Sequence, residues 1–195
     1  MPKFDRIVVI DIECTCWRRQ PPPGQESEII EIGVATLDLS SLQPLQKESI
    51  LVKPERSTVS PFCTELTTLT PAQVKGGISL KSACTQLRKE FQTSDRIWAS
   101  YGDYDRNQFQ KQCQAREIRY PFGPRHINVK TLFALLSGLP KEVGMARALE
   151  LLELPLIGTH HRGDDDAWNI AHILARILQT RAIDIAPRGT EKLTM

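Results

Sequence analysis

The stretch Ile7 to Glu13, IVVIDIE, constrains this chain more than any other. Four consecutive β-branched residues favour a strand, because branched side chains pack well on a pleated surface. Strand side chains alternate faces, so Asp11 and Glu13 point the same way from the end of that strand. Two like charges at the edge of an apolar core are costly unless a cation sits between them, and oxygen donors suit a hard divalent ion. Taken alone, D-x-E is also what a strand ending in two solvated acids looks like. Partners further along the chain decide between these readings.

The 195 residues, 41% of them hydrophobic, are enough for one sizeable core. A formal net charge of +2 neither announces nor excludes a nucleic-acid partner, so any basic track must be local. Arg18, Arg19, Arg106, Lys111, Arg125, Lys130 and Arg162 are its candidates. No apolar run is long enough to cross a bilayer and MPKFDR lacks a signal-peptide core, which predicts a soluble, cytoplasmic protein without a membrane partner. Cys14, Cys16, Cys63, Cys84 and Cys113 form an odd set without C-x-x-C. That argues against a structural zinc site and against a disulfide framework or disulfide-linked partner.

After the first strand, the triple proline Pro21 to Pro23 and Gly24 mark a loop. Ile29 to Leu39 and Lys47 to Val52 read as strands, giving an antiparallel meander with the first. Pro54 to Gly77 reads as a long surface excursion with one short helix near Pro71 to Val74. Helices are expected over Leu80 to Phe91, Asp105 to Arg116, Lys130 to Ser137, Gly144 to Leu152 and Asp164 to Gln179, with short strands at Arg96 to Ser100 and His126 to Val129. Strands first, then alternating helix and strand, suit an α/β domain of the ribonuclease H-like kind: a mixed five-stranded sheet flanked by helices.

Two helices carry an acid on their apolar face. In the last one, the stripe Ile170, Ile173, Leu174, Ile177 steps back by four residues onto Asp166, while Asp165 aligns with Asn169 and His172 on the wetter side. Asp105 shares a face with Phe109 and Cys113, and Asp103 before it can cap the helix. An acidic first turn complements the helix dipole, which accounts for Asp164 and Asp165 but poorly for an inward Asp166. If both helix starts meet the end of the first strand, Asp11, Glu13, Asp105 and Asp166 converge, and divalent ions are required to hold them together. His161, five residues before Asp166, falls in the preceding loop, with Gly163 permitting the sharp entry. There its imidazole is suited to act as a general base.

DIECTC from Asp11, GDYD ending at Asp105 and HRGDDDAWNIA from His161 to Ala171 together resemble the DEDDh 3'-to-5' exonucleases, most nearly the Eri-like branch and its KapD-like bacterial relatives. The resemblance spans roughly Phe4 to Leu178 and includes FCTELTTLTPAQV from Phe62 and INVK from Ile127. It implies an exonuclease domain over 1–180; the stretch 181–195, mixing Pro187, Gly189 and charges, reads as an irregular tail. It also implies hydrolysis of phosphodiester bonds at single-stranded RNA 3' ends, with DNA also open, releasing nucleoside 5'-monophosphates. Two ions, Mg²⁺ or Mn²⁺, would be held, one by Asp11, Glu13 and Asp166 and the second by Asp11 and Asp105, with His161 as base. By the same analogy Cys14, Thr15, Leu66 and Thr67 would line the pocket for the terminal nucleotide. The chain departs from the branch where Cys14 replaces alanine and where Thr68 replaces a glycine, which bears on the geometry of that loop.

A DNA 3'-to-5' exonuclease and a regulatory protein using this fold to bind a partner are the competing readings. Relative activity on matched RNA and DNA ends separates the two enzymes. A complete set of four acids and His161 argues against a chain that has lost its chemistry.

Overall fold

The computed structural model describes residues 3–180; the sequence expectation of an irregular tail over 181–195 lies outside them. Five strands form one mixed sheet: β1 (Lys3–Cys14), β2 (Ile29–Asp38), β3 (Pro44–Leu51), β4 (Arg96–Ser100) and β5 (His126–Asn128). The order is β3-β2-β1-β4-β5. β1 and β3 run antiparallel to β2, while β4 pairs parallel to both β1 and β5. The meander and the five-stranded α/β architecture match the sequence expectation.

Alternation along β1 splits the core. Val8, Ile10 and Ile12 face one layer, against Leu87 of α3 (Leu80–Glu90), Phe91 just after it, and Phe109 and Cys113 of α4 (Tyr104–Ala115). Ile7 and Val9 face the other, where α5 (Val129–Leu136), α6 (Met145–Leu151) and α7 (Gly163–Thr180) supply Phe133, Leu149, Ile170, Ile173 and Leu174. By that period Asp11 and Glu13 continue the α7 face. Among the described residues no helix is long and apolar enough to cross a membrane.

The excursion after β3 holds two helices, one more than its sequence suggests: α1 (Pro61–Thr67) as well as α2 (Pro71–Lys75). Both begin with proline at the first turn and a hydroxyl cap, Ser60 accepting from Cys63 N and Thr70 forming a capping box with Gln73. At the end of α1, Thr68 itself takes the left-handed conformation, φ 63°. Threonine there costs on the order of 1 kcal/mol that glycine would not. Asp103 does not cap α4 with its side chain; its carboxylate instead faces Arg106 at 3.2 Å and accepts from Asn128 at 3.2 Å.

One contact sets how α7 meets the sheet. A Cβ on Gly33, the β2 residue paired with Asp11, would lie 1.8 Å from the Gly163 carbonyl carbon and 2.4 Å from Asp164 N. Two glycines back to back thus let the start of α7 touch β2. Gly163 serves this approach rather than a positive φ; the left-handed residue at the entry is His161, φ 65°.

Candidate active site

All five residues singled out as metal ligands or base line one open cavity of about 300 Å³: Asp11 and Glu13 from β1, Asp105 from the first turn of α4, Asp166 from the first turn of α7, and His161 before it. Ligand oxygens of Asp11, Glu13 and Asp166 lie within 4.8 Å of one another. Asp105 joins them through β1 itself, its Oδ1 accepting from Ile12 N at 3.0 Å, between the two strand acids. Glu13, Asp105 and Asp166 are buried.

This crowding has an electrostatic signature. Burial, then the charges of Asp105, Glu13 and Asp166, push Asp11 well above the usual carboxylate range. Burial, then Asp166 and Glu31, raise Glu13 to about 9. Burial raises Asp105 to about 7 against the opposing bond from Ile12 N–H, and raises Asp166 against the pull of His160. Such a cluster takes up either protons or cations. An all-oxygen donor set with this much repulsion fits hard divalent ions such as Mg²⁺ or Mn²⁺.

The His161 loop is built from below. His161 N donates to Asp166 Oδ2 at 2.9 Å, and His160 Nδ1 lies 3.0 Å from the same oxygen. Burial, then the neighbouring His160, lower the His161 pKa, which favours its neutral form. Asn169 is fully buried, not on a wet face. Its amide accepts from Ile157 N at 3.0 Å and donates to Ile157 O at 2.9 Å, pinning the start of the loop. Asp165 does face outward, accepting from Thr159 N at 2.8 Å and pairing with Lys47.

Glu31, fully buried on β2 opposite Glu13, fixes the other side of the loop. Its carboxylate accepts from Gly163 N at 2.8 Å, from Arg162 Nη2 at 2.9 Å and from Ser49 Oγ at 2.5 Å. Arg162 therefore serves the loop rather than a phosphate track. Of the other basic candidates, Arg18 pairs with Glu65, Arg106 with Asp103, Lys111 with Glu26 and Lys130 with Glu142.

The cavity wall is Tyr101, Tyr104 and Met145, and does not include Cys14, Thr15, Leu66 or Thr67. Thr15 is buried, its hydroxyl donating to Glu26 O and accepting from Glu28 N. Thr67 is buried against Cys63 O. Cys14 is buried, its thiol pushed up by that burial, and Leu66 is partly buried. Tyr104 is 53% exposed at the rim, whereas Tyr101 is held by its hydroxyl donating to Val143 O at 3.0 Å. The aromatic wall was not found from the sequence; the only signal was two tyrosines bracketing Asp103 in YGDYD.

Comparison with known proteins agrees with this picture. The family model RNase_T, described as exonuclease, matches residues 8–174. The 3'-5' exoribonuclease 1 of Homo sapiens is 32% identical over 186 residues, covering 90% of this chain and 53% of its own length. That of Rattus norvegicus is 31% identical over 187 residues, covering 90% and 54%. The chain thus spans about half the length of these curated relatives. Among solved structures, the nuclease domain of 3'hExo, a DEDDh family member bound to rAMP, superposes with a TM-score of 0.82 at 28% identity, covering 92% of this chain and 95% of that one. A structure of 3'-end-specific recognition of histone mRNA stem-loop by 3'-exonuclease gives the same TM-score and identity over 92% and 65%.

Proposed function

The chain belongs to the RNase_T exonuclease family, and from that premise we propose that it is a metal-dependent exonuclease removing nucleoside 5'-monophosphates from single-stranded RNA 3' ends. The observation that carries the reading is the convergence of Asp11, Glu13, Asp105 and Asp166 beside His161 in one open cavity. The choice of RNA leans on the exoribonuclease relatives and on the rAMP-bound neighbour.

Asp11, Glu13 and Asp166 would hold one Mg²⁺ or Mn²⁺, and Asp11 with Asp105 the second. Bound there, such ions supply charge neutralisation at the phosphate and acidify a water. His161, kept neutral by burial and anchored through its own N–H to Asp166, takes the proton from the attacking water at a ring nitrogen. Tyr104, exposed at the rim, stacks on the terminal base, a contact that tolerates any base. Tyr101 and Met145 close the wall beside it. The cavity's 300 Å³ suits one nucleotide rather than a duplex end.

The test is a time course on matched 5'-labelled single-stranded RNA and DNA with Mg²⁺, Mn²⁺ or EDTA, beside His161→Ala. A ladder that shortens from the 3' end, faster on RNA and lost with EDTA or in the variant, is the expected result. Faster loss of DNA would reassign the substrate, and a folded protein that shortens neither would overturn the enzymatic reading.

A further inference from the structure

A hydrogen-bonded chain runs behind Asp105, outside the cavity wall. β4 and β5 pair in parallel with His126 beside Trp98 and Asn128 beside Ser100, so His126 lies diagonal to Ser100 on one face of the sheet. Its ring packs on Trp98 with centroids 4.2 Å apart, and its Nε2 lies 2.9 Å from Oγ of the fully buried Ser100. Its Nδ1 faces Arg106 Nη1 at 3.5 Å. A guanidinium only donates, so Nδ1 is the acceptor and the ring hydrogen sits on Nε2. Burial, then the Arg106 charge, push the His126 pKa down to about 4, which keeps the ring in that neutral form.

This tautomer decides which way Ser100 donates. With its oxygen accepting the His126 N–H, the serine hydroxyl has one hydrogen to give, toward Gly102 O at 2.8 Å and toward the Asp105 carboxylate, a contact that favours the charged acid against the burial that raises its pKa. The opposite tautomer would take that hydrogen for the ring. Gly102 belongs to the turn from β4 into α4 and takes φ 109°, so the same hydroxyl also ties the turn that delivers Asp105. On its other side Asp105 accepts from Ile12 N. The carboxylate is thus held between two donors, Ile12 and Ser100, the second directed by the ring behind it. We propose that His126 is a positioning residue for the acidic cluster, acting through Ser100 to set the Asp105 carboxylate that faces the second ion. The alignment stands on these contacts alone, whereas its bearing on metal and RNA rests on the exonuclease reading given above. A histidine that served only to pack on Trp98 could be exchanged for phenylalanine with no effect on Asp105.

The test compares His126→Phe, which keeps a ring on Trp98 without a donor, with His126→Gln, whose amide can accept from Arg106 and donate to Ser100. Ser100→Ala and the double variant of Ser100→Ala with His126→Phe complete the set. In the metal-free protein the Ile12 amide proton, bonded to Asp105, reports the place of the carboxylate by NMR. Expected is an upfield shift of that proton in His126→Phe and in Ser100→Ala, largely reversed in His126→Gln. Mn²⁺ affinity, followed by electron paramagnetic resonance, should fall about tenfold in His126→Phe and in Ser100→Ala and recover in His126→Gln. The double variant should bind no more weakly than Ser100→Ala, because the histidine acts through the serine. The Mg²⁺ needed for half-maximal RNA shortening should rise in step. An unmoved Ile12 proton in His126→Phe or Ser100→Ala, His126→Gln as impaired as His126→Phe, or losses that add in the double variant would each overturn the positioning role. Ser100→Ala and His126→Gln keep the test decisive if His126→Phe fails to fold. A wild type that binds Mn²⁺ no better than Asp11→Asn, or that shortens no RNA, would overturn the exonuclease reading, and the Ile12 proton, read without metal, then judges His126 by itself.

Discussion

Replacing Asp11 by asparagine should stabilise the metal-free protein near neutral pH while abolishing its activity. Ligand oxygens of Asp11, Glu13 and Asp166 lie within 4.8 Å of one another. At an effective dielectric of about 20, two unit charges at that separation repel by about 3.5 kcal/mol. Proton uptake relieves part of this. With Glu13 moved from 4.5 to about 9, holding it protonated at pH 7 costs about 3.4 kcal/mol, at about 1.36 kcal/mol per unit. Asparagine removes one member of each repelling pair, so a gain of about 2–4 kcal/mol follows, or a rise in Tm of roughly 5–15 °C for a chain of this size. The pH dependence has a definite sign. Glu13, Asp105 and Asp166 have folded-state values raised above their unfolded ones. Their contribution is therefore fully present below about pH 4 and lost as pH rises through the folded values, about 7 for Asp105 and about 9 for Glu13. Calorimetry in EDTA should show the wild type losing stability from mildly acid to alkaline pH, with the advantage of Asp11→Asn widening along the way. Added Mg²⁺ should narrow that gap by raising the wild type more. A variant that melts at or below the wild type at neutral pH without metal would refute the reasoning, as would an advantage greatest in acid.

Glu31→Gln should loosen the loop that carries His161, since it weakens charge-assisted bonds from Gly163 N and Arg162. A loss of about 1.5–3 kcal/mol in stability is expected by chemical denaturation, with kcat falling more than KM changes. Gly33→Ala should displace α7, because its Cβ would lie 1.8 Å from Gly163 backbone atoms. The cost is about 3 kcal/mol or more in unfolding free energy, and activity should fall even where the variant folds. Tyr104→Ala should leave the metal cluster intact and cost about 1–3 kcal/mol of binding to the 3'-terminal nucleotide, read as a raised KM with fluorescence melts unchanged.

Much of this was legible because it rests on local periodicity. The alternation in IVVIDIE places Asp11 and Glu13 on one face, and the stripe of α7 singles out Asp166 among three adjacent aspartates. What stayed hidden depends on contacts distant in sequence. Glu31 sits in IIEIG as any strand residue might, and its burial follows only from the docking of a loop 131 positions away. Asn169 has the spacing of a wet-face residue, yet the irregular segment at Ile157 folds over it and binds its amide. Helix α1, with seven residues, is too short for a 3.6-residue stripe and is announced only by Ser60 and Pro61. For Gly163 the sequence pointed to the right residue for the wrong reason. The chain needs its missing Cβ against Gly33, while His161 takes the turn.

In the proposed reaction water attacks the terminal phosphodiester from the His161 side and the 3' nucleotide leaves with its 5' phosphate. Hydrolysis of a short single-stranded RNA in ¹⁸O-enriched water with Mg²⁺, followed by mass spectrometry of the products, tests it directly. The expected product is nucleoside 5'-monophosphate carrying a single ¹⁸O on phosphorus, appearing in order from the 3' end and absent from His161→Ala. Nucleoside 3'-monophosphates, cyclic phosphates or internal fragments would contradict it.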